Sequence, residues 1–112
     1  MDPRVHITDD MVDKALAILA SRRHATARLA YEKTDREKKV ILARLERESN
    51  DTTQRARETY ALTHPHYEAF RARQDLIEEE YFEAKDERDS ADAVIRAWQT
   101  QSSNSRSMER VR

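Results

Sequence analysis

Glutamate and histidine side chains are the groups in this chain whose type and spacing could support chemistry. Four glutamates stand close together: Glu78, Glu79, Glu80 and Glu83. A helical di-metal site needs Glu-x-x-His pairs that face a bundle core, and the sequence contains no such pair. His64 and His66 flank Pro65, but two histidines do not complete a metal site. We therefore expect no metal and no cofactor.

Other patterns that indicate catalysis are also missing from the sequence. It contains no cysteine, which excludes thiol chemistry, disulfides and cysteine-ligated metals. Nothing in it resembles a nucleophile–base pair, a phosphate-binding loop or a dinucleotide fingerprint. The sequence predicts no catalytic residue and hence a non-enzymatic protein.

Basic residues between positions 22 and 47 form the second pattern with chemical content. The candidates for nucleic-acid contact are Arg22, Arg23, Arg28, Lys33, Arg36 and Lys39, together with Arg106 and Arg110 near the C-terminus. Bases along one helix can follow a phosphate backbone. Interleaved acids such as Glu32 and Glu37 are instead typical of a salt-bridged helix surface. Direct binding of DNA or RNA is therefore an alternative function.

Composition determines the expected fold class. The 112 residues include no glycine and only two prolines, and 38% of them are charged. Tight turns commonly need glycine, so a chain without it should form long, simple elements, and its abundant Ala, Arg, Glu, Leu and Lys favour helix. No run of apolar residues is long enough to cross a membrane, and the N-terminus lacks a signal-peptide pattern. We expect a soluble, cytoplasmic all-α protein with no membrane partner.

The first predicted helix covers about residues 8–62. Thr8 suits its N-cap, and Ile7 with Val12 suits a hydrophobic staple. Five poor helix formers at positions 49–53 predict a kink or a break, with Asn50 or Asp51 capping a new helix after a break.

A second helix is predicted for about residues 65–100. Pro65 suits its first position, with the turn at 63–65 before it. A 3-4 spacing without a slip indicates a coiled-coil seam. The seam residues are Tyr67, Phe70, Gln74, Ile77, Tyr81, Ala84, Arg88, Ala91, Ile95 and Trp98. Residues 101–112 are rich in serine and arginine and are predicted to form a tail outside the helix.

The short turn predicts a single domain, 1–112, in the form of a long antiparallel helical hairpin. Counting back from the turn places Tyr31 opposite Trp98 and Ile41 with Leu45 opposite Ala84 and Arg88. In this register the first twenty or so residues of helix 1 extend beyond the hairpin.

That extension is strongly apolar and predicts self-association. Its apolar side chains cover most of the helix circumference, and an exposed helix does not tolerate such a surface. The residues concerned are Met11, Val12, Leu16, Ile18 and Leu19. A homodimer that forms a helical bundle would cover them. Leu76 and Phe82 lie off the seam of helix 2 and are candidates for a second interface with a protein partner.

The C-terminal stretch AVIRAWQTQSSNSR, residues 93–106, resembles the end of small α-helical proteins from the early, recombination-associated regions of tailed phages and prophages. The resemblance implies an accessory factor that acts on proteins of nucleic-acid metabolism in the cytoplasm of a bacterial host. It also implies an alternative, an inhibitor of a host defence or repair machine. Residues 66–100 hold ten acids against five bases, so Glu78, Glu79, Glu80 and Glu83 could act as a decoy for nucleic acid.

Overall fold

A computed structural model describes residues 6–109 with their side chains and the helical backbone as far as residue 111. These residues form four helices: α1 (Asp9–Ala20), α2 (Arg23–Glu48), α3 (Gln54–Thr63) and α4 (Pro65–Val111). The same residues contain no strand, so the predicted all-α class is confirmed. None of the described helices combines the length and the apolar character needed to cross a membrane.

Helix α1 begins as its sequence predicts. The Thr8 hydroxyl accepts a hydrogen bond from the Met11 N–H at 3.2 Å, and two acids occupy the first turn, at the positive end of the helix dipole. Ile7 and Val12, the two residues of the predicted staple, are both buried. The start of α1 is therefore determined by local sequence.

Helix α1 ends at Ala20, which differs from the predicted continuous helix over 8–62. Ser21 leaves the helical conformation at ψ 147° while its N–H still donates to the Ala17 carbonyl. Its hydroxyl accepts from the Arg23 N–H at 3.0 Å, where α2 begins. A serine can replace the helical hydrogen bonds with bonds of its own, which makes this interruption possible without glycine or proline.

A second interruption lies at the five poor helix formers, where a kink or a break was predicted. Helix α2 ends at Glu48 and α3 begins at Gln54. Thr53 caps α3, and its hydroxyl accepts from the Ala56 N–H at 3.2 Å; the predicted caps, Asn50 and Asp51, do not have this role. Asp51 instead accepts a hydrogen bond from the Ser49 hydroxyl at 2.8 Å within the loop.

Helix α4 begins at the predicted Pro65 but continues to Val111, beyond the predicted end at Thr100. The prediction of a non-helical tail is wrong for the described residues. Serine and asparagine each cost at most about 0.7 kcal/mol relative to alanine in a helix. Neither glycine nor proline follows Pro65, so nothing forces the helix to end.

The chain forms two compact units. The central unit is Ala25–Phe82, and the terminal unit combines the described residues up to His24 with those from Glu83 onward. In the central unit α2 and α4 are antiparallel, since Tyr31 contacts Tyr81 while Glu37 contacts Arg73.

The pairing register of the central unit differs from the prediction. Tyr31 stacks on Tyr81, with ring centroids 4.9 Å apart, and not on Trp98, which is 17 residues later. Leu45 packs with Ala61 of α3 and Tyr67 of α4 instead of Ala84 and Arg88. The physical reason is α3, which folds as a separate helix in the connection and packs on the end of the α2–α4 pair. Because the residues between Glu48 and Pro65 form a loop and α3, the α2 residues that pair with α4 all lie before residue 49.

In the terminal unit, α1 is covered by the same chain. The Gln101 side chain accepts a hydrogen bond from the Ile7 N–H at 2.9 Å and donates one to the Ile7 carbonyl at 3.1 Å. Val12 and Ala15 on α1 are buried, as is Ala91 on α4. The prediction that this apolar segment extends beyond its intramolecular partner is wrong, because α4 residues up to Gln101 lie beside it in the observed register.

Candidate interaction surface

The five N-terminal residues assigned to self-association do not share one exposed surface. Val12 is buried, and Met11, Ile18 and Leu19 are half-buried. Leu16 is 51% exposed and is the large apolar residue of α1 that faces water. Dimerisation through this helix stays a prediction, with much less apolar area available than the sequence indicates.

Phe82 belongs to an aromatic cluster in the central unit. Its ring lies 5.3 Å from that of Tyr81 and 6.5 Å from that of Tyr31, both in edge-to-face geometry. These contacts cover part of the ring, which is nearly half exposed. Phe82 therefore has a packing role besides any role in an interface.

Leu76 and Val40 are more exposed than any other large hydrophobic side chain of the described residues, at 68% and 66%. Leu76 was identified from the sequence as lying off the seam, whereas Val40 was missed. The exposure of Val40 becomes evident from the structure, in which the buried face of α2 includes Thr34 and Leu45 and leaves Val40 off that stripe.

Val40 belongs to a second stripe on α2, which we call the α2 outer stripe: Leu29, Lys33, Arg36, Val40, Ala43 and Arg47. Its members follow a continuous 4-3-4-3-4 spacing, and all six are exposed. A helix with two stripes of coiled-coil spacing can pack on two partners at once. The α2 outer stripe combines three apolar residues with three bases and contains no acid.

Leu76 belongs to a matching α4 outer stripe in the central unit: Ala69, Ala72, Leu76 and Glu79. These four residues are also exposed and follow a 3-4-3 spacing. This stripe contains small and apolar residues with an acid and no base. The two outer stripes thus carry charges of opposite sign.

An ion pair shows that the two outer stripes lie on the same side of the α2–α4 pair. Arg73 Nη2 and Glu37 Oε2 are 2.6 Å apart and join the two helices. Residues three positions apart on a helix are neighbours on its surface. Val40 follows Glu37 by three, and Leu76 follows Arg73 by three, so each apolar residue is one turn away from the same ion pair.

A shallow groove lies along the α2 outer stripe. Its volume is about 420 Å³, and its lining includes Lys33, Arg36, Glu37, Val40 and Ile41. A concave, partly apolar surface with charged rims is suited to receive the side chains of another helix.

The predicted basic residues, and Arg44 and Arg47 on α2, include both paired and unpaired side chains. Arg23 contacts Glu87 and Glu83, Arg28 lies 3.1 Å from Glu32, and Lys39 lies 4.0 Å from Asp35. Six other bases are exposed and form no ion pair among the described residues: Arg22, Lys33, Arg36, Arg44, Arg47 and Arg106. Arg110 lies where side chains are not described. Three of these six bases, Lys33, Arg36 and Arg47, belong to the α2 outer stripe.

The four acidic candidates do not form one face. Successive helical residues point about 100° apart, so Glu78, Glu79 and Glu80 extend over more than half of the circumference of α4. Glu78 is half-buried, and Glu83 contacts Arg23 at 3.5 Å. Glu79 remains as the acid of the α4 outer stripe.

The histidine turn contains ring contacts and a backbone hydrogen bond. The His66 N–H donates to His64 Nδ1 at 3.1 Å, and the His64 ring lies 5.5 Å from the Tyr60 ring. Among residues 6–109, no group of three histidine, cysteine or carboxylate side chains is arranged to hold a metal ion.

Comparison of the chain with protein-family models, with curated proteins and with solved structures finds no match.

Proposed function

We propose that this protein is a non-catalytic helical interaction module that binds a partner protein through the outer stripes of α2 and α4. The observation that carries the proposal is the position of Val40 and Leu76, two strongly exposed apolar residues beside one inter-helix ion pair. The resemblance to phage early-region proteins would make the partner a component of nucleic-acid metabolism.

The energetics of the central unit support this assignment. Its own core is supplied by the inner faces of α2, α3 and α4, so exposed Val40 and Leu76 contribute little to folding. Covering such a side chain fully contributes about 1.5–3 kcal/mol, and interface energy commonly concentrates in a few such residues. The surrounding charges would select among partners.

Site-specific photo-crosslinking tests the proposal. A photoreactive amino acid is placed at position 40 or 76 of the full chain, in the organism that encodes it, with position 62 as the control. Leu62 is also an exposed apolar residue of the central unit but lies on α3. We expect protein crosslinks at positions 40 and 76 several-fold above those at 62. Equal yields at all three positions would exclude this surface as the binding site.

A second candidate function, direct nucleic-acid binding, is favoured by the unpaired bases Lys33, Arg36, Arg44 and Arg47. Four phosphate contacts predict that affinity for duplex falls about 100-fold between about 50 mM and about 200 mM salt.

Fluorescence anisotropy with single- and double-stranded oligonucleotides measures this dependence. Arg36→Gln should weaken binding and flatten the salt slope. Arg28→Gln is the matched control, because Glu32 already neutralises Arg28. Absence of binding at the lower salt concentration would eliminate this function.

A further inference from the structure

We infer that the partner on the outer stripes is a second copy of this chain, in a two-fold symmetric dimer of the central units. This inference rests on the proposed function and names the occupant of the same surface. In the dimer, Val40 of each copy packs on Leu76 of the other, so that two helix pairs form a four-helix arrangement. One patch serves both copies, as a two-fold interface requires.

Charge complementarity selects this occupant. Next to Val40, the exposed bases Arg36 and Arg44 form no ion pair among the described residues. Next to Leu76, Arg73 is already partnered by Glu37 at 2.6 Å, which leaves the exposed carboxylate of Glu79 as the acid of that stripe. One chain therefore carries both halves of a complementary pair on one side of one unit.

The same charges decide how the copies meet. If Val40 packed on Val40 of the second copy, the bases beside it would repel each other. If Leu76 packed on Leu76, the Glu79 carboxylates would repel each other. Only the arrangement in which Val40 packs on Leu76 of the second copy places Arg36 near Glu79 of that copy. The repulsion between like charges excludes the other two arrangements.

The shape of the stripes is compatible with helix packing. The α4 outer stripe begins with Ala69 and Ala72, whose small side chains permit close approach, and presents Leu76 as its large apolar residue. The groove of about 420 Å³ beside Val40 offers a site for Leu76 of the second copy. The ion pair between Glu37 and Arg73 would lie at the edge of the joined surfaces.

Charge reversal and rescue, measured by sedimentation equilibrium on the full chain, test the inference. The wild-type mass should rise from 13.2 kDa toward twice that value between about 1 µM and about 1 mM protein. Arg36→Glu alone and Glu79→Arg alone should each weaken dimerisation at least about tenfold. The double variant, with both charges exchanged, should restore it.

Arg55→Glu is the matched control, since it makes the same charge change at an exposed site on α3 and should leave the dimer intact. Circular dichroism verifies that each variant keeps its helices. Any of three results would overturn the inference. The wild-type chain stays monomeric at about 1 mM, Arg36→Glu dimerises as strongly as the wild type, or the double variant dimerises no more strongly than the single variants. Crosslinks from position 40 to a different protein would still support the proposed function. Failure of the dimer inference can therefore be distinguished from failure of the proposed function.

Discussion

Leu45→Ala should lower the free energy of unfolding by about 2–5 kcal/mol, because it leaves a cavity where three helices meet. Leu45 is 0% exposed and packs with Ala61 of α3 and Tyr67 of α4, while Ile41 and Leu42 complete the cluster. Alanine cannot fill this volume, and the surrounding helices can relax only in part. The loss should therefore be large for a protein of this size.

Chemical denaturation followed by circular dichroism measures the change. Leu62→Ala is the matched control, since it removes the same atoms from an exposed position of the same unit, outside both outer stripes. It should change stability by no more than about 0.5 kcal/mol. Similar losses for the two variants would contradict the packing of Leu45 against α3 and α4.

Ala15→Asp should detach α1 from the terminal unit and reduce stability by about 3 kcal/mol or more, because it buries a carboxylate without a partner. Ala15 is only 3% exposed, on the face of α1 that also carries Val12. Helix α1 can avoid the cost only by leaving its site, so its amide protons should lose protection from hydrogen exchange.

The neighbouring substitution Leu16→Asp provides the control for this second experiment. Leu16 is 51% exposed, so an aspartate there remains hydrated and α1 should keep its protection. If α1 instead extended beyond the hairpin and were covered by a second copy, as the sequence predicted, Leu16→Asp should reduce the protection of α1 as strongly as Ala15→Asp. Equal protection in Ala15→Asp and Leu16→Asp would therefore contradict its intramolecular packing.

The candidate surface was only partly predictable from the sequence. Leu76 could be recognised because the seam of α4 is regular and Leu76 lies outside it. Val40 could not be recognised as exposed in the same way, because α2 has neighbouring apolar residues at that point, among them Ile41 and Leu42. Which of these three faces water depends on where α4 and α3 pack, and this is information from distant parts of the chain.

The sequence by itself determined the features that arise within one or two turns of helix. The all-α class, the Thr8 cap and the start of α4 at Pro65 depend on propensity and local hydrogen bonds. Among residues 65–109, every buried residue of α4 also belongs to the predicted seam, namely Tyr67, Phe70, Ala84 and Ala91. A regular 3-4 spacing thus identifies the inner face of a helix, whichever segment covers it.

Only the tertiary structure decided which segments pair. The spacing of a seam repeats every seven residues, so α2 satisfies it in several registers and the sequence pattern cannot distinguish among them. The packing of Ala61 on Leu45 and Tyr67 selects the register by folding α3 into the connection. The covering of α1 is supplied by α4 residues up to Gln101, whose side chain forms two hydrogen bonds with the Ile7 backbone. These contacts join residues that are far apart in sequence. A local sequence pattern therefore does not reveal the free energy that they contribute.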